Sequence, residues 1–367
     1  MLNPDTEARL LSGRAAGDIE RKMVMELGER KQKILAAIID AYIQTGEPVG
    51  SKALVEMLDN AVSSATIRND MADLAAAGYL EQPHTSAGRI PTARAFRLYI
   101  DSLMRRQTLS EKRRREIEDM LAGAAGDPER LIEVASQALA AVTGCAAVTT
   151  TPDQQGSTIR RIEVMRSGSR SAALLLMTSS GVLRSRLCRF ECEADGPLLD
   201  RLSKTLNAEF LDQPLADVGL AQVQSLLVAL GEYGLACAPA LTAFVELVQD
   251  SAEAEVLLSG QLNLLQHPDY ELERARSLLS FLSQRDLLAS MLTAHSGGLR
   301  VVLGSESPRP ELDGSSIIIT GYSQGGMADG SIGIIGPLRM DYAATIPQIE
   351  YFAQTVSRLL GELNKDG

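Results

Sequence analysis

Between Arg30 and Thr92 the chain carries three short apolar-periodic segments, each closed by turn residues, and then a two-stranded ribbon. Few small folds satisfy that order. Ile34, Leu35, Ile38, Ile39 and Tyr42 fall at helical spacing and form one stripe, which predicts a helix stopped by Gly46 and Pro48. Ser51 is placed to cap a short second helix, Lys52 to Leu58, burying Leu54, Val55 and Leu58. Asp59-Asn60 reads as a turn. Ser63 or Ser64 caps a third helix to about Ala77, with Ile67, Met71 and Leu74 facing inward and Gly78 at its C-terminal end. Tyr79 to Pro83 reads as a strand, His84 to Gly88 as a turn, Arg89-Ile90 as the return strand, and Pro91-Thr92 as the start of another helix. Three helices and a ribbon are the plan of a winged helix-turn-helix. In that plan the third helix enters the major groove of double-stranded DNA and the wing lies over phosphates or the minor groove.

Helix phase then selects the side chains that can read bases. With Ile67, Met71 and Leu74 inward, Ala65, Arg68, Asn69 and Ala72 point outward. Arginine can fork to guanine O6 and N7, asparagine can pair with adenine, and a small alanine lets a thymine methyl approach. Ser63, Ser64 and Thr66 sit at the helix start, where hydroxyls and free N–H groups favour phosphate. Lys52, His84, Thr85, Ser86 and Arg89 are candidate backbone and wing contacts. An exposed Arg-Asn pair on a short helix is by itself an ordinary solvated face. The attached wing is what gives it weight.

A net charge of −11 looks wrong for a DNA binder until it is divided. Residues 23–115 carry 14 Lys and Arg against 11 Asp and Glu, a net of +3, so the remainder carries −14. A mildly basic module on an acidic body confines phosphate contact to one face. At 367 residues the chain is too long for one ordinary core. Its 45% hydrophobic and 23% charged residues suit a globular protein. No apolar run approaches the about 20 residues that cross a bilayer, and residues 1–22 read as a polar tail without a signal peptide, so no membrane role is expected. Cys145, Cys188, Cys192 and Cys237 do not form a disulfide framework in a chain this long, which points to the cytoplasm.

The rest of the chain alternates between helical and strand patterns. A helix is expected from Thr92 to Met104, and the basic run Lys112 to Arg115 reads as a solvated helix face before an extra phosphate contact. A helix near Pro128 to Val142 precedes a strand, Cys145 to Thr150. Three strands follow (Ile159 to Arg166, Ser171 to Thr178, Val182 to Phe190), then helices near Leu198 to Leu211, Leu220 to Tyr233 and Ala240 to Gln249. A strand at Glu255 to Leu258 precedes helices at Leu272 to Phe281 and Arg285 to Thr293. Strands at Leu299 to Leu303, Ser316 to Thr320 and Ser331 to Ile335 and a helix from Ile346 to Leu363 close the chain.

Catalytic and metal chemistry find no support. His84, His267 and His295 are far apart, Cys188 and Cys192 lack the other ligands of a zinc site, and no nucleophile–base set stands out. Neither an enzyme nor a cofactor is expected. Gly297-Gly298, Gly325-Gly326 and Gly333-Ile334-Ile335-Gly336 do not sit between strand and helix in the dinucleotide pattern and read as turns.

Three stretches carry a resemblance: Thr45-Gly46-Glu47-Pro48-Val49-Gly50-Ser51-Lys52, Ser63 to Met71, and Gly78 to Thr92. Asn207-Ala208-Glu209-Phe210, Gly260 to Leu265 and Gly333 to Tyr342 agree with them. Together they resemble the HrcA family, the bacterial heat-inducible repressors of chaperone operons, over nearly all of the chain after residue 22. The departures are modest. Asp70 stands where Glu is usual, Leu338 where Thr is usual, and the segment after Leu265 reads Gln-His-Pro-Asp-Tyr. The resemblance implies binding of an inverted-repeat operator (the CIRCE element) as a homodimer, and control by heat through a GroEL-type chaperonin.

The expected fold is therefore α+β and multidomain. A variable tail spans 1–22 and a winged helix-turn-helix DNA-binding domain spans 23–105. A GAF-like domain comprises 106–151 and 253–367, and an inserted α/β dimerisation domain spans 152–252. A metabolite-sensing winged-helix regulator with a ligand in the GAF-like domain is the competing reading. It requires a polar-lined pocket, whereas the apolar runs Ile317 to Ile319 and Ile332 to Ile335 favour a filled core.

Overall fold

A computed structural model describes residues 27–58, 62–84, 88–152, 156–293, 298–323 and 329–363. Helix α1 (Glu29–Thr45) buries Ile34, Leu35, Ile38 and Ile39 completely. Gly46, at φ +72°, ends it, and its N–H donates to the Tyr42 carbonyl at 2.8 Å. Helix α2 spans Ser51–Met57 and α3 spans Ser64–Ala76. Strands β1 (Leu80–Glu81) and β2 (Ile90–Pro91) form the antiparallel ribbon. The three-helix-plus-wing order read from the sequence is the one observed.

Two local expectations are corrected. Ser51 does not cap α2, because Gly50 occupies the capping position without a side chain; the Ser51 hydroxyl instead meets Ser64 Oγ at 3.2 Å. The ribbon also gains a third strand of one residue. Val49 and Arg89 exchange both backbone hydrogen bonds at 2.9 Å. A Cβ on Gly88 would lie 2.5 Å from the Val49 carbonyl, so this close crossing requires glycine.

Helix α4 (Ala93–Leu98) starts at Thr92, whose hydroxyl accepts from Ala95 N, and runs into a π-helical turn, Tyr99–Leu103. The predicted linker helix is thus present but loosens at its end. Helix α5 (Glu111–Ala122) carries the basic run. There Arg113 pairs with Glu116 at 2.9 Å, Arg115 approaches Glu111, and Arg114 stacks over Tyr351. The helix's own carboxylates offset the run, as a solvated face requires.

The body is a five-stranded antiparallel sheet in the order β7-β3-β10-β9-β8, built from β3 (Ala146–Thr150), β7 (Val256–Ser259), β8 (Arg300–Leu303), β9 (Ser315–Ser323) and β10 (Asp329–Pro337). Its two faces follow the strand period of two. Ile318, Ile332 and Ile334 pack toward α6 (Pro128–Thr143) and α13 (Tyr342–Leu363). Ile317, Ile319 and Ile335 pack toward α11 (Leu272–Leu282) and α12 (Arg285–Thr293). A short helix α10 (Gln261–Gln266), not anticipated, follows β7. Gly333 and Gly336 lie inside β10, not in a turn as expected; a Cβ at Gly333 would lie 2.3 Å from the Ile318 carbonyl. Gly297, Gly325 and Gly326 lie outside the described residues.

Between β3 and β7 the chain builds a second, separate core. Strands β4 (Ile159–Gly168), β5 (Ser171–Thr178) and β6 (Leu183–Arg189) form an antiparallel sheet. Helices α7 (Gly196–Phe210), α8 (Leu220–Ala229) and α9 (Gly234–Ala252) complete the unit. Leu174, Leu176, Leu202, Leu206, Phe210 and Phe244 are buried among themselves. Burial of each such side chain contributes about 1.5–3 kcal/mol. Arg184 ties this unit to the body through Glu129 and Glu255, both at 3.2 Å. No single helix among the described residues is long and apolar enough to cross a membrane.

Candidate nucleic-acid interface

Helix α3 presents two chemically distinct sides. Ile67, Asp70, Met71 and Leu74 are buried, while Ala65, Arg68, Asn69 and Ala72 are exposed. The outward set is the one that helix phase selects. Arg68 has no ion-pair partner among the described residues, so its guanidinium keeps all its donors for an incoming ligand.

The start of α3 is fixed by hydroxyls. Ser63 caps the helix by accepting from Thr66 N at 3.2 Å, and its Oγ lies 2.9 Å from Thr66 Oγ1. Ser63 is exposed, whereas Ser64 and Thr66 are half-buried. Ser51 and Ser64 bring the start of α2, with exposed Lys52, against the start of α3. The Val49–Arg89 pairing draws half-buried Arg89 to the same corner. Lys52 and Arg89 have no ion-pair partners among the described residues. His84 is exposed beyond β1, apart from this corner in the chain, and Thr85 and Ser86 lie outside the described residues.

Sequence reasoning missed the groups that hold α3 and the wing in place. Asp70 is 3% exposed and takes both Nε (2.7 Å) and Nη2 (3.1 Å) of Arg30 from α1, which raises the arginine's pKa through the hydrogen bond. A second tie joins Lys31 to Asp73 at 2.7 Å. The signal was present in the sequence: a carboxylate three residues after Ile67, on the inward stripe, needs a cationic partner. At the base of the wing, Arg94 donates to the Ala77 carbonyl at 2.9 Å and lies over the Tyr79 ring at 4.7 Å, while Thr92 Oγ1 donates to the Gly78 carbonyl at 2.8 Å.

Among the described residues no group of three or more His, Cys, Asp or Glu side chains could hold a metal ion. Burial pushes the Cys145 and Cys237 thiols up to about 11.

Comparisons with known proteins agree with this geometry. Residues 26–103 match the family described as winged helix-turn-helix transcription repressor, HrcA DNA-binding, and residues 129–346 match the HrcA protein C-terminal domain. The heat-inducible transcription repressor HrcA of Desulforudis audaxviator is 34% identical over 346 residues, 92% of this chain and 99% of that protein. Its counterpart from Carboxydothermus hydrogenoformans is 32% identical over 339 residues, again 92% and 99%. A crystal structure of a hypothetical protein at 2.2 Å resolution superposes with a TM-score of 0.65 at 24% identity, covering 92% of this chain and 99% of that one, and shows the same fold. A DNA-binding winged helix, a matching C-terminal half and near-complete alignment with named repressors lead to one assignment: this chain belongs to the HrcA family of heat-inducible transcription repressors.

Proposed function

We propose that this repressor acts in the cytoplasm, silencing chaperone operons by binding an inverted-repeat operator of the CIRCE type as a homodimer. The observation that carries the reading is the exposed, unpaired Arg68 beside Asn69 on the outward face of α3, flanked by Ala65 and Ala72. Arg68 and Asn69 read bases, while Lys52, Ser63, Ser64, Thr66 and Arg89 hold phosphates around the helix start, with His84, Thr85 and Ser86 along the wing. A two-fold dimer mirrors the two arms of the repeat.

Residues 152–252 serve dimerisation in this reading. The outer face of the β4–β6 sheet supports it: Met165, Met177, Leu183 and Leu187 are exposed there, around half-buried Leu175. The remainder, 106–151 and 253–367, forms the GAF-like domain. Its sheet is filled by Ile317, Ile318, Ile319, Ile332, Ile334 and Ile335, each at most 3% exposed, which favours control by heat and a GroEL-type chaperonin over a metabolite held within that domain. An open groove of about 1160 Å³ does exist, but it is lined largely by the winged helix, with Lys33 and Asp40 of α1, Tyr99 of the π-turn and Arg105 after it.

The deciding experiment is fluorescence anisotropy on a duplex with the inverted repeat against a scrambled duplex at equal salt, with and without chaperonin. Strong preference for the repeat, improved by chaperonin, supports the proposal. Equal binding to both duplexes by folded protein overturns it.

A further inference from the structure

Two of the stretches that carry the resemblance meet at one guanidinium, Arg339 of Gly333 to Tyr342 beside Gly46 of Thr45 to Lys52. Arg339 lies between β10 and α13, on a segment whose neighbours are anchored. Met340 and Tyr342 are 5% and 0% exposed, Leu338 N donates to the Gly314 carbonyl at 2.9 Å, and Tyr342 Oη donates to the Leu338 carbonyl at 2.7 Å. The Arg339 side chain is itself only 15% exposed. Its Nε and Nη2 fork onto Asp269 at 2.8 and 2.6 Å, within the body. Its Nη1 crosses to the winged helix and donates to the Ile43 carbonyl at 2.9 Å, with the Tyr42 ring 6.0 Å away.

The Ile43 carbonyl belongs to the last turn of α1, where helix carbonyls lack partners within the helix and carry partial negative charge. An arginine from the body therefore caps the first helix of the DNA-binding module. Gly46 makes room for it. A Cβ there would lie 3.1 Å from Arg339 Cζ, on a backbone whose φ of +72° already favours glycine.

We infer that Arg339 is a positioning residue for operator binding: held by Asp269, it sets the orientation of the winged helix on the body. The inference rests on the two-armed operator reading above. If each recognition helix is aimed before DNA arrives, engagement of the second arm is close to intramolecular and gains a high effective concentration. A loosened module still binds one arm but loses that advantage.

The test compares the full-length wild type, Arg339→Ala and Asp269→Asn on duplexes carrying the complete inverted repeat, a single half-site, and repeats with the spacer altered by one or two base pairs. Folding is verified by circular dichroism. The expected result for Arg339→Ala is unchanged half-site affinity, a repeat-over-half-site ratio reduced about tenfold or more, and weaker discrimination among spacers. Asp269→Asn shifts the ratio in the same direction by less, and the double variant is no worse than Arg339→Ala alone. An unchanged ratio in both single variants overturns the inference. So does equal loss on the half-site and the full repeat, which marks a merely stabilising contact. If the wild type itself shows no preference for the repeat, the operator reading fails and the inference falls with it, an outcome separable from failure of the clamp alone.

Discussion

The carboxylate of Asp70, buried on the inner side of the recognition helix, receives two hydrogen bonds from the guanidinium of Arg30, whose own side chain is 58% exposed on α1. The pair is asymmetric, and the asymmetry has a consequence. Removing Arg30 strands a buried negative charge, whereas removing Asp70 leaves a cation that water can solvate. Arg30→Ala should therefore lower the melting temperature more than Asp70→Ala, and the two substitutions should be strongly non-additive. Denaturant unfolding of the two variants and the double variant checks this; equal, additive losses would refute it.

Arg68→Ala should cost about 1–3 kcal/mol in operator binding and relax preference at the base pair it reads. Lys52→Ala should weaken binding to every duplex alike and flatten the salt dependence by about one phosphate contact. A panel of single-base operator variants titrated at two salt concentrations separates the cases. If Arg68→Ala leaves the preference intact, the recognition face is elsewhere.

The winged helix and the body share one continuous core. Phe96, at 1% exposure, sits between Tyr42 (ring centroids 6.5 Å apart) and Tyr342 (6.1 Å apart), while the unit holding β4 to β6 has a core of its own. Heating should melt the winged helix and the body in one transition, with the inserted unit free to follow another. Phe96→Ala should destabilise the shared unit by about 3–5 kcal/mol and leave the other in place. Hydrogen exchange with calorimetry reports both. Such coupling would let a modest temperature rise remove DNA binding at once, and a shared unit that stays folded far above growth temperature would count against that heat response.

Thiol reactivity follows burial. Cys192 is exposed, and Cys145, Cys188 and Cys237 are buried. An aromatic disulfide reagent at pH 8 should label one thiol quickly, and Cys192→Ala should abolish that phase. Burial raises the Cys145 pKa from 9.0 to about 11, so the native state keeps a proton that the unfolded chain gives up. Its contribution is fully present below pH 9 and is lost as the pH rises toward 11. Alkaline unfolding midpoints of wild type and Cys145→Ala test the sign.

Much of this protein was already determined along the chain. Local periodicity and stop residues are short-range properties, so the stripe Ile34, Leu35, Ile38, Ile39, a cap at Ser63 or Ser64, the wing after Gly78 and the outward placement of Arg68 and Asn69 could all be read from spacing. Tertiary structure decided what depends on groups far apart in sequence. Val49 became a strand only by pairing with Arg89, Gly333 was taken into β10 by pairing with Val148 and Ile319, and Asp70 found Arg30 across 40 residues. Arg339 reached the Ile43 carbonyl across 296 residues. Periodicity records which side of an element is apolar, but carries no information about which distant polar group will satisfy a buried charge or a bare helix end; only packing brings those partners within the about 3 Å that a hydrogen bond requires.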